Sequence, residues 1–154
     1  MRSLLPAALG STLLLLGCAA TAPARGGATE AQLARRVLLE CLGQGRCEPL
    51  KGLYSADFIA HGASASYTLA QDVAATLSWR AAMPDLTLSI ERTVAEPGMA
   101  AVHWRAAGTN TVAAGGLPGN GERLGIEGMT MFRFADGRIA EEWSVLDIAA
   151  LRRH

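Results

Sequence analysis

RLGIEGMTMFRFADGRIAEEWSVLD, residues 123–147, reads as two β-strands joined at Asp136-Gly137. That dipeptide tolerates the positive φ angles of a tight type I′ hairpin turn. Met129, Met131, Phe132 and Phe134 precede the turn; Ile139, Trp143, Val145 and Leu146 follow it. A hairpin this apolar does not stand alone in water and must be covered on at least one face. The rest of the chain has to supply the cover.

Upstream, Thr29 and Gln32 have capping-box spacing, which predicts a helix from Thr29 to about Leu42 that Gly43 stops. Leu33, Val37, Leu38 and Cys41 form its buried stripe. A short second helix fits Glu48–Tyr54, after which Asp57–His61 turns extended. A third fits Leu69–Met83, with Leu69, Val73, Leu77 and Met83 on one face and Pro84 ending it. Leu86, Leu88 and Ile90 then alternate with polar residues, as do Val102, Trp104 and Ala106 with Ala101, His103 and Arg105. The Gly-rich stretch 113–121 joins two strands, whereas a phosphate cradle runs from strand to helix. Residues 148–153, IAALRR, read as a short C-terminal helix that Asp147 would cap. The pattern is α+β, a curved antiparallel sheet of about four strands wrapped around three N-terminal helices.

With 154 residues, half of them hydrophobic, the chain suits one domain with a modest core. Fourteen basic residues balance fourteen acidic ones, and they are scattered. A nucleic-acid partner has no electrostatic footprint here. The first residues read as a leader: Arg2, then the apolar run Leu4–Leu16, shorter than the roughly 20 residues that span a bilayer. Leu15-Leu16-Gly17-Cys18 resembles the bacterial lipobox, in which the chain is cut before a cysteine that is then lipidated. The other reading is an ordinary secretory signal with Cys18 incidental. The division expected is a signal peptide at 1–17, a lipidated Cys18 with a flexible tether to residue 28, and a domain at 29–154. Ala19, in place of Asp, resembles lipoproteins of the outer membrane, facing the periplasm. Removing residues 1–17 takes away Arg2 and no acid, so 13 basic residues then face 14 acidic ones. In an exported protein Cys41 and Cys47 are free to pair, although spacing alone leaves a bridge and two separate thiols equally open.

Six motifs in order give the chain a likeness. They are Tyr54-x-x-x-Phe58-x-x-His61, Met83-Pro84-Asp85-Leu86, Gly116-Leu117-Pro118 before Gly121, Gly128 with Phe132-Arg133-Phe134, Asp136-Gly137-Arg138-Ile139, and Trp143-x-x-x-Asp147. From about residue 30 to 152 the chain resembles the SnoaL-like polyketide cyclases of the nuclear transport factor 2-like superfamily. The resemblance implies a cone-shaped α+β barrel with an apolar pocket between sheet and helices, often dimerising through the sheet. It also implies aldol ring closure without a cofactor, by a carboxylate and a histidine on neighbouring strands. Carried over by spacing, those positions fall on Ser144 and Thr130. A hydroxyl is a poor base without a partner to activate it, so this departure argues against the cyclase reaction.

Asp147 and Glu127 are the remaining acid candidates, each with a plainer reading: Asp147 as a helix cap, Glu127 as a solvated or cross-strand paired side chain. Strand alternation sets Trp143, Val145 and Asp147 on one face and Glu142, Ser144 and Leu146 on the other. His61, Glu127, Met129, Trp143 and Ser144 are the expected pocket residues, with His61 as readily a structural histidine. His103 is expected outside, and Trp79, Trp104 and Trp143 in the core or at a dimer contact. The histidines have no metal-site spacing. The leading expectation is a lipid-anchored envelope protein that binds a small apolar molecule, as a homodimer and without a cofactor. A cyclase- or isomerase-type enzyme and a non-catalytic assembly module are the alternatives. A core filled by Met129, Met131 and Trp143 would favour the assembly role.

Overall fold

The computed structural model describes residues 25–62 and 65–150. The expected leader, Cys18 and residues 19–24 lie outside that range, as do residues 151–154. Helix α1 (Arg25–Val37) begins before Thr29, which therefore sits inside the helix and not at its cap. Its backbone widens into a π turn over Leu38–Leu42, and the Gly43 amide donates to the Leu38 carbonyl. The helix thus passes the expected stop. Gly45 ends it instead, with φ of 73° and its amide on the Cys41 carbonyl at 2.8 Å. Only a residue free of Cβ strain takes that left-handed cap easily. Cys41 and Cys47 form a disulfide across this end.

A 3₁₀ turn (Glu48–Leu53) leads into β1 (Tyr54–His61), and β2 (Ser66–Tyr67) precedes α2 (Leu69–Ala82). Thr68 and Gln71 form a full capping box at the start of α2. The long strands follow: β3 (Thr87–Glu96), β4 (Met99–Asn110), β7 (Glu122–Ala135) and β8 (Arg138–Ala150). Between β4 and β7 the Gly-rich stretch makes a small hairpin, β5 (Ala113–Ala114) and β6 (Leu117–Pro118). Asp136 and Gly137 both have positive φ, 50° and 73°, between the paired Ala135 and Arg138. The opening hairpin has the turn its sequence requires.

The α+β reading holds, and two details differ. The main sheet has six strands in the order β2-β1-β8-β7-β4-β3, not four. The two added strands are the short β2 and β1, which contains the extended Asp57–His61 and pairs parallel to β8 while the other neighbours are antiparallel. Nor is there a helix at Ile148–Ala150: these residues stay in β8, facing Leu124–Ile126 of β7. Ile148 lies opposite Ile126, a β-branched pair that suits a ladder better than a last helical turn. Asp147 is consequently a mid-strand residue opposite Glu127 and caps nothing.

Period-2 alternation divides the sheet. Val102, Trp104 and Ala106 of β4 and Ile126, Thr130, Phe132 and Phe134 of β7 are buried on the helix side with Ala34, Val37, Leu38 and Leu42. The opposite face carries Met129, 52 % exposed, Met131 and Val145, 68 % exposed. These residues and Trp143 therefore do not fill the core. Gly128 lies opposite Trp104, and a Cβ there would run into the indole ring, so glycine is what lets the ring lie flat on β7.

Candidate functional site

Asp72, Ala75, Thr76 and Trp79 recur at i, i+3, i+4 and i+7 and so share one face of α2. Glu142, Ser144 and Leu146 recur at every second residue of β8 and share the helix side of the sheet. Between them lies a chamber of about 190 Å³, closed by Val37, Leu38, Cys41 and Leu42 at the π turn and by Tyr54, Trp104, Thr130 and Phe132. It adjoins an outer hollow of about 430 Å³ that shares Asp72, Ala75, Trp79, Glu142, Ser144 and Leu146 and reaches His61 and Tyr67. Arg80 braces the wall from behind, donating to the carbonyls of Leu42, Gly43 and Leu86 at 3.4, 2.7 and 3.1 Å.

The chamber's polar groups form one directed chain. Trp104 Nε1, which can only donate, gives its proton to Thr130 Oγ1 at 3.0 Å. Thr130 and Ser144 hydroxyls lie 2.9 Å apart, and Ser144 Oγ donates to Glu142 Oε1 at 3.0 Å. With its two ends fixed, the chain runs Trp104, Thr130, Ser144, Glu142. The positions where the family's histidine and carboxylate were expected thus serve to orient a carboxyl two residues further back.

That carboxyl is not an ordinary one. Part of the Glu142 residue still reaches solvent, yet its acid group is walled in by protein. Burial first, then the charge of Asp72, push its pKa from 4.5 up to about 8, against a smaller lowering by the Ser144 hydrogen bond. Asp72 is itself raised, by burial. Tyr54 is raised well above the phenol range by burial and by the two acids, so its hydroxyl keeps its proton. Burial and the neighbouring acid thus favour the protonated form of Glu142 near neutral pH.

The expected site residues divide between two faces. Ser144 lines the chamber. Glu127 and Asp147 lie on the other side of the sheet, bordering a groove of about 490 Å³ built from exposed residues such as Thr87, Ser89 and Arg105. The register and the period-2 pleat place them there. His103 at 2.7 Å and Arg105 at 3.2 Å hold Glu127 below the usual carboxylate range, so it stays charged. Met129 and Trp143 also face outward. His61 stacks on Trp143, ring centroids 4.9 Å apart, and bonds to Glu141 at 2.9 Å, which also takes Arg133 at 2.7 Å. It stands at the rim with its ring engaged outside. Among the described residues no group of His, Cys, Asp and Glu could hold a metal ion, and no helix is long and apolar enough to cross a membrane.

Nothing in the sequence pattern pairs Asp72 with Glu142, which lie 70 residues apart. The same alternation that put Ser144 inside put Glu142 beside it, and that was the available signal.

Known proteins agree with this architecture. A solved structure of a proposed SnoaL-like polyketide cyclase from Jannaschia sp. CCS1 superposes with a TM-score of 0.74 at 18 % identity, over 82 % of this chain and 91 % of that one. AclR from Streptomyces galilaeus, a proposed hydroxylase, gives 0.68 at 21 % identity, over 78 % and 90 %. IdmH from Streptomyces antibioticus, a proposed polyketide cyclase, gives 0.62 at 24 % identity, over 75 % and 92 %. At such identities the likeness establishes the fold alone. No curated protein sequence matches the chain. A model of the SnoaL-like polyketide cyclase family matches residues 32–154, most of the chain. The protein belongs to the SnoaL-like polyketide cyclase family.

Proposed function

We propose that the domain takes a small, largely apolar molecule into the chamber between α2 and β8 and carries out cofactor-independent acid–base chemistry on it with Glu142. The observation that supports this is the convergence of Asp72 and Glu142 on one apolar chamber, with no Lys or Arg among its lining residues. Two like charges so placed do not ionise together easily. One acid keeps a proton near neutral pH, where a general acid or base works best. Burial and, after it, the Asp72 charge raise Glu142, Ser144 aims it, and Tyr54 offers a neutral donor. Thr130 and Ser144 replace the family's expected pair, so the group transferring the proton differs from that of the cyclases.

Protein purified from its own host tests the reading by native mass spectrometry. A co-purifying small molecule is expected, and it should be lost in the chamber-filling variant Ala75→Trp. Turnover of that molecule should fall by about 10²–10⁴-fold in Glu142→Gln. Retention of the molecule by Ala75→Trp, or full turnover by Glu142→Gln, would remove the proposal.

The chain is further read as an envelope lipoprotein anchored through Cys18, on the strength of Leu4–Leu16 and the lipobox-like Leu15-Leu16-Gly17-Cys18. Several acyl chains on one residue give stable anchoring at roughly 0.8 kcal/mol per buried methylene. The Cys41–Cys47 disulfide suits such an oxidising compartment. Cys18→Ser should move the protein from the membrane to the soluble fraction; unchanged fractionation would refute the anchor. Pairing of two copies through the outer sheet face is proposed from its exposed Met129, Met131 and Val145.

A further inference from the structure

The chamber's charge and hydrogen-bonding capacity are one-sided. Asp72 on α2, Glu142 on β8 and Tyr54 on β1 are the groups that titrate in it, and each is acidic. The nearby bases are occupied elsewhere: Arg80 on three carbonyls, His61 and Arg133 on Glu141. Among the described residues no Lys or Arg lines the chamber beside the pair. Tyr54, 9 % exposed, lines the same space and brings a phenol to it. The remaining walls include Trp79, which lines both the chamber and the outer hollow, and Trp104. Indole rings attract a cation over their faces.

We infer that the molecule taken by this chamber carries a basic nitrogen, and that its protonated amine seats between Asp72, Glu142 and Tyr54. An ammonium group brings N–H donors and no acceptor, which is what two carboxyl groups and a phenol oxygen can receive. Its charge supplies the missing counter-ion. The volume fits the division: about 190 Å³ is below the roughly 300–1,000 Å³ of sites for drug-sized ligands. The inner chamber accepts the charged head, and the outer hollow accepts the apolar remainder. Binding is proton-linked. The free site holds one proton on Glu142; the cation favours the ionised acid, so that proton is released to solvent as the ammonium enters. Glu142 then stands ionised beside the ligand, a base instead of an acid.

This inference rests on the chamber being the ligand site, and one experiment separates the two claims. Benzylamine, benzyl alcohol and benzoate share a ring and differ in charge. Isothermal titration at pH 7 in two buffers of different ionisation enthalpy measures both affinity and protons exchanged. Benzylamine should bind about tenfold or more tighter than benzyl alcohol, with release of close to one proton, and benzoate should bind weakest. Glu142→Gln and Asp72→Asn should each cut benzylamine affinity about tenfold while shifting benzyl alcohol by less than about threefold. The alcohol also reports that each variant is folded with its chamber open. Equal or tighter binding of the alcohol by the native protein overturns the amine preference and leaves the ligand site standing. Loss of binding of all three compounds overturns both. Benzylamine binding without proton release, or unchanged in Glu142→Gln, overturns the seat between the acids.

Discussion

The Ser144 hydroxyl donates to the Glu142 carboxyl across 3.0 Å, two residues apart on the same face of β8. This is the one hydrogen bond that favours the charged form of Glu142 against burial and Asp72. Ser144→Ala should therefore raise the Glu142 pKa still further. Carboxyl-resolved NMR titration would show it, and an unchanged or lower pKa would mean that the bond does not act on this acid.

The raised acid also makes stability depend on pH. Glu142 titrates near 8 when folded and near its ordinary 4.5 when unfolded, so in the window between them the folded state holds the extra proton. Relative stability is then greatest below about pH 4.5 and is lost as pH rises to about 8. Asp72, also raised, acts in the same direction from the lower end of the window. Glu142→Gln should flatten this slope and be more stable than the native protein at pH 9, by up to a few kcal/mol. Urea unfolding across pH 5–9 checks the sign; a variant that loses ground to the native protein as pH rises contradicts it.

Trp104 reaches Thr130 because Gly128 leaves the surface of β7 bare beneath the ring. Gly128→Ala should push the indole away and cost about 1–3 kcal/mol from overpacking. The displaced Nε1 also loses its partner, so Trp fluorescence should report a changed environment. A variant with native stability and native fluorescence would show that the close approach is not required.

The hairpin at Asp136-Gly137 was legible because its turn chemistry and its large alternating residues agree. The π turn was not: nothing in Leu38–Leu42 marks a wider backbone, and it carried the helix past Gly43 to Gly45. Parallel pairing of β1 with β8 joins distant segments through backbone hydrogen bonds, which leave no local pattern. Asp72 was hidden by the usual guide to burial. The apolar stripe of Leu69, Val73 and Leu77 points to one face of α2, yet Leu77 is 42 % exposed. The face that lines the chamber carries Asp72, Thr76 and Trp79. Polar residues turned toward a cavity weaken the periodicity that would reveal them. Alternation alone sets Glu142 on the inner side of β8, whereas Asp147, the acid that the residue pattern after Ser144 favours, is turned outward by the pleat.

On the outer face, Met129 stands beside Val145 in register, both well exposed. If two copies meet there, Met129→Asp should shift the protein toward monomer in light scattering without lowering its unfolding temperature by more than a few degrees. An unchanged mass, in a native protein that is dimeric, would move the interface elsewhere.

Asp72 and Glu142 line one chamber, where burial and then the Asp72 charge favour the protonated form of Glu142. Titration of ¹³C-labelled Glu142 in the native protein and in Asp72→Asn tests it most directly. The account expects a midpoint near 8 in the native protein and a clear fall once the Asp72 charge is gone. A Glu142 that titrates near 4.5 and ignores the Asp72 substitution would contradict it.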